Sequence, residues 1–116
     1  MYLEEGVELS PSKPPSEDDL HRLFDSAVEF FEAGDASAAK GVLEQLIEKV
    51  PDHPQILNYL AVTTHQSGDP ARALELFERA VQVEPNFTEA WNNLGNLAQK
   101  MGQYSDAVRA FSELCK

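Results

Sequence analysis

Residues 91–111 read WNNLGNLAQKMGQYSDAVRAF. Trp91, Leu94, Gly95 and Ala98 stand at i, i+3, i+4 and i+7, which is one face of a helix. Gly102 is placed to stop that helix, and Ala107 and Phe111 open a second apolar stripe. The stretch decides the fold because it has been written before in this chain. Gly34, Gly68 and Gly102 are 34 apart, and so are Ala39, Ala73 and Ala107. Leu43, Phe77 and Phe111 keep the step of 34, as do Leu23, Leu57 and Trp91, and as do Pro51 and Pro85. Five columns on one period predict a stack of repeated units rather than a single irregular core.

Each unit carries the signals of two helices and a tight turn. In the second, Leu57, Leu60, Ala61 and Thr64 share a face and Gly68 ends the helix. Asp69 and Pro70 then start the next one, as N-cap and first helical residue. Ala73, Leu74, Phe77, Ala80 and Val81 form its stripe, and Pro85, with no N–H to donate, closes it. The first unit repeats the pattern with Leu23, Ala27, Phe30, Gly34, Ala39, Leu43, Leu46 and Pro51. Small residues at Ala27, Ala61 and Gly95 let paired helices approach, and Leu23, Leu57 or Trp91 fills the space beside them. Leu43, Phe77 and Phe111 are expected to plug the gap toward the next unit. The units span about 20–53, 54–87 and 88–116, the last incomplete, within a domain covering 16–116.

The third unit, with Trp91-Asn-Asn-Leu94-Gly95, Gly102, Ala107 and Phe111, resembles the tetratricopeptide repeat family, whose period and W-x2-L-G signature it shares. Ser26 stands where the family usually has Leu, and Phe30 keeps a late aromatic that Thr64 and Ala98 lack. The resemblance implies an all-α, right-handed solenoid of antiparallel helix pairs. It also implies a concave groove, lined by the first helix of each unit, that binds a peptide or helix of a partner protein. Family usage places groove residues at His21, Phe24, Asp25, Val28, Phe31 and Glu32 in the first unit. In the second it places them at Gln55, Asn58, Tyr59, Val62, His65 and Gln66, and in the third at Glu89, Asn92, Asn93, Asn96, Gln99 and Lys100. The groove is thus expected to run from apolar to amide-rich.

Asparagine both donates and accepts, so Asn58, Asn92, Asn93 and Asn96 suit the backbone of an extended peptide; solvation of a helix face accounts for them equally well. Phe24, Val28 and Phe31 read as an exposed patch. A partner, the tail around Val7 and Leu9, or an adjacent copy would each cover it. The resemblance also excludes one specialised use. Relatives that grip acidic chaperone tails do so with Lys, Asn, Asn, Lys and Arg; the matching residues here are Phe24, Val28, Tyr59, Glu89 and Asn93. Glu89 repels a carboxylate, so the expected partner is neutral or basic.

The whole chain has 116 residues, and 20 acids against 9 bases give a net charge of −11. That surplus argues against nucleic acid and anionic membranes as partners. Cys115 has no second cysteine to pair with, and His21, His53 and His65 do not share a metal-ligand spacing. No phosphate loop, nucleophile or base constellation occurs, so no cofactor, metal site or enzymatic activity is expected, and a cytoplasmic location is expected with it. Glu75 and Arg79 are read as a surface pair at i, i+4. Residues 1–15 read as an extended Pro/Ser/acidic tail, a plain linker in which Pro11 and Pro14 also fit a polyproline ligand. Ser16 is read as a helix cap. The last helix leaves Val108, Phe111 and Leu114 without a following helix, which suggests a longer chain or two copies covering each other's ends. A second functional class stays open: the docking arm of a larger enzyme, of glycosyltransferase or sulfotransferase type.

Overall fold

The computed structural model describes residues 17–115, so the expectations for the tail and for Ser16 lie outside the described residues. Six helices follow in order: α1 Glu17–Glu32, α2 Ala36–Lys49, α3 Pro54–Gln66, α4 Pro70–Val83, α5 Thr88–Lys100 and α6 Tyr104–Leu114. No strand occurs among the described residues. The helices pair as α1 with α2, α3 with α4 and α5 with α6, and neighbouring pairs meet through α2 with α3 and α4 with α5. The architecture is an all-α repeat solenoid.

The turns follow from the residues read above. Gly34, Gly68 and Gly102 take φ of 84°, 98° and 78°, a region costly for any residue with a Cβ. Asp35 and Asp69 accept from the backbone N–H of Ala38 and Arg72, each at 3.2 Å. Gln103 holds the same place before α6 and makes no such bond. Pro51 and Pro85 lie just past the ends of α2 and α4.

The units are tied across their turns as well as through their cores. Arg79 donates to the Pro51 carbonyl at 2.8 Å and pairs with Asp52 at 3.5 Å, so it spans two units instead of meeting Glu75. The long guanidinium arm finds a carbonyl and a carboxylate side by side in that turn, and its several donors engage both. The Trp91 indole donates to the Pro85 carbonyl at 2.7 Å, and Arg109 reaches Glu78 of the preceding unit at 3.6 Å.

Burial is graded along the stack. Leu43, Leu46, Leu57, Leu60 and Leu94 are fully buried, and α3 and α4 hold half of the buried apolar residues. The end helices are less covered. Phe30, read as core, is 39% exposed, because no helix precedes α1 among the described residues. Tyr104 and Val108 are 66% and 64% exposed on α6, while Phe111 and Leu114 are half-buried. Phe111 packs closely on its own unit: a Cβ on Gly95 would stand 2.7 Å from its ring.

One buried group is out of balance. The Thr63 hydroxyl donates to the Leu60 carbonyl at 3.0 Å, but the Thr64 Oγ1 is buried with no partner. An orphaned buried hydroxyl costs about 1–3 kcal/mol. Thr64→Val keeps the shape and removes the cost, so urea denaturation is expected to show a gain of about 1–2 kcal/mol.

Candidate functional site

The first helices of all three units contribute to one cleft of about 530 Å³. Phe24, Asp25, Val28 and Glu29 come from α1, Gln55, Asn58 and Tyr59 from α3, Phe87 from the turn before α5 and Glu89 from its first turn. Phe24 and Phe31 lie two turns apart on the same line of α1, and Tyr59 enters between them from α3. Its ring meets Phe24 edge-on at 5.6 Å and 72°, and Phe31 at 5.2 Å and 80°. Such edge-to-face contacts add about 0.5–1.5 kcal/mol beyond area burial. The expected exposed patch is therefore corrected: Phe24, Val28 and Phe31 are half-buried, with Tyr59 packed over the two rings.

The asparagine row is corrected as well. Asn93 Nδ2 donates to Asn58 Oδ1 at 3.2 Å, joining α3 to α5, and Asn58 is only 3% exposed. Asn58 and Asn92 occupy the same place in successive units, yet Asn92 is exposed. Asn58 has a following first helix to meet, and no such helix lies beyond Asn92 among the described residues. Asn96 is exposed too.

Charge is divided along this face. Asp25, Glu29 and Glu89 line the cleft, and among the described residues no Lys or Arg does. Burial first, then the carboxylates of Glu89 and Glu32, push the Tyr59 phenol above its ordinary value near 10, so it remains a hydrogen-bond donor. A second cleft of about 150 Å³ is lined by Val62, His65, Phe77, Asn93, Asn96, Leu97 and Lys100. Phe77 does sit between the second and third units, as its column implied. The face thus passes from carboxylates and rings to amides and one lysine, not simply from apolar to amide-rich. Gln99, like Asn92, lies on neither cleft.

Phe87 and Glu29 were not foreseen. Phe87 lies in the turn before α5, and its position 34 after His53 is the signal that was available. His53 caps α3 by accepting from the Ile56 N–H at 3.4 Å, with its ring 6.2 Å from Phe24. His53 and His21 line a neighbouring hollow together with Phe24 and Asp25. Among the described residues, no group of three His, Cys, Asp or Glu could hold a metal ion, and no helix is long and apolar enough to cross a membrane.

Two sequence profiles described as tetratricopeptide repeat match residues 24–86 and 64–114. The tetratricopeptide repeat domain-containing protein PYG7, chloroplastic, of Arabidopsis thaliana is 33% identical over 100 residues, which is 77% of this chain and 33% of that protein. The chain thus spans about a third of that relative's length. Among solved structures, PcrH in complex with the chaperone binding region of PopD superposes with a TM-score of 0.82 at 17% identity, covering 88% of this chain and 77% of that one. The second repeat domain of Spaghetti (RPAP3), bound to the HSP90 peptide SRMEEVD, does so with a TM-score of 0.77 at 14% identity, covering 83% and 89%.

Proposed function

The chain belongs to the tetratricopeptide repeat family, and from that premise we propose that it is a protein-interaction module whose first helices hold an extended segment of a partner protein. The observation that carries the reading is the shared cleft: three separate units place side chains around one channel, with Asn58 in its wall, tied to α5 by its hydrogen bond with Asn93. A short ligand would need only one unit, whereas a channel crossing all three suits a length of chain. That structural neighbours were captured with a peptide and with a binding region of another protein supports this use of the fold.

The acidic peptide of the RPAP3 complex is a poor guide to the ligand here. Phe24, Val28, Tyr59 and Glu89 meet in the cleft where relatives of that type present cationic and amide groups.

Gln55→Ala combined with Asn96→Ala, one amide from each cleft, tests the reading. Both residues are exposed, so unfolding free energy is expected to stay within about 0.5 kcal/mol. Peptides selected by display on the unmodified chain are expected to bind the double variant about tenfold more weakly by calorimetry, since each lost hydrogen bond is worth about 0.5–1.5 kcal/mol. Equal affinity would remove the amide row from the binding surface.

A further inference from the structure

We infer that the cleft between α1, α3 and the start of α5 receives a basic side chain of the bound segment, arginine in particular, while the Asn58 amide nitrogen donates to that segment's main-chain carbonyl. The inference rests on the groove reading above and adds the chemistry of the occupant.

Two independent observations meet in this cleft. The first is its charge: Asp25, Glu29 and Glu89 line it from two helices, with no lysine or arginine among the described residues to neutralise them there. The positive ends of α3 and α5 oppose this field, but each amounts to about half a charge within the first turn. Three whole negative charges outweigh them. The second observation is a polar group built to be completed. Asn58 lines the cleft while more than nine-tenths buried; its Oδ1 is engaged by Asn93, and its Nδ2 makes no hydrogen bond among the described residues. Nδ2 donates only, so it is matched by a carbonyl oxygen and not by the cation.

The walls choose between the two cations. Phe24, Tyr59 and Phe87 supply aromatic surface beside the carboxylates. A planar guanidinium stacks on rings and forks its donors onto carboxylates at once; a lysine ammonium is a compact, strongly hydrated point charge. The volume of about 530 Å³ admits the side chain with main chain on either side. At the other end, Lys100 gives the face an opposite sign and so a direction for the segment.

The experiment is a nitrogen-15 NMR titration of the full chain with four blocked heptapeptides, Ser-Ala-Ser-X-Ser-Ala-Ser, where X is Arg, citrulline, Lys or Glu. Citrulline keeps the shape of arginine and removes the charge. To about 5 mM peptide at low salt, the Arg peptide is expected to shift amides in 24–29, 55–59 and 87–89, with an affinity about tenfold above citrulline. The Lys peptide is expected to fall between them and the Glu peptide to give no shift. Asp25→Asn with Glu89→Gln, both at exposed positions, is expected to reduce the Arg-to-citrulline ratio below about threefold, while Lys49→Gln, exposed on α2 away from the cleft, leaves it unchanged. If the peptides shift these amides with no preference for Arg, the basic-residue inference falls and the groove stands. If none of the peptides shifts them, the groove reading falls and takes this inference with it.

Discussion

Leu57→Ala is expected to lower the unfolding free energy by about 3–4 kcal/mol, because a fully buried leucine leaves a cavity that the two flanking units cannot close. Leu57 sits in α3, between a preceding and a following pair, so its neighbours are held from both sides. For a domain of this size each kcal/mol moves the melting temperature by about 4–8 °C, and a fall of roughly 15–20 °C should appear in a calorimetric scan. Leu23 occupies the same place one unit earlier, but it is half-buried at the edge of the stack. Leu23→Ala should therefore cost only about 1–1.5 kcal/mol, through lost transfer energy with little trapped void. Equal losses at the two sites would show that position in the row does not set the cost.

Gly95→Val is expected to be nearly as damaging for the opposite reason. The added Cβ stands 2.7 Å from the Phe111 Cε1 and 2.9 Å from its Cζ, closer than real carbon atoms approach. The ring must leave its place, and α6 rests on that contact at the end of the stack. Overpacking costs about 1–3 kcal/mol, and the upper half of that range is expected here. Amide exchange should accelerate in α6 while α3 and α4 keep their protection. Adding Phe111→Ala should return part of the loss, so the two changes together cost less than their sum by about 1 kcal/mol or more. Gly41 is the contrast: mid-helix in α2, it leaves open space where a Cβ would stand, with no atom within 4 Å. Gly41→Ala should stabilise by about 0.5–1 kcal/mol through helix propensity alone.

The repeat was legible because it is local chemistry repeated. Glycine at 34, 68 and 102, aspartate before α2 and α4, and proline after α2 and α4 each act within a few residues of where they stand. The core columns followed from helical period. What the residues could not show was how far one unit turns against the next. That angle decides that Asn93 reaches Asn58 rather than Tyr59, and that Tyr59 lodges between Phe24 and Phe31. Both contacts cross units, and both alter what the groove can offer a ligand. The position of Phe87 was hidden for a related reason: it belongs to a turn, and turn residues were read as punctuation. Arg79 was misread because a helical pairing rule considers one helix, and its true acceptor lies in the turn between units.

The order in which these helices lean on one another has a mechanical meaning. Each pair leans chiefly on the next, while turn clasps such as Arg79 on Pro51 join successive pairs at their ends. Pulled from both extremities, a row of this kind straightens first and then surrenders its hairpins singly, like links of a watch strap. Any strip of polypeptide laid across all three hairpins would act as a splint, raising the force needed to straighten the row without touching its interior.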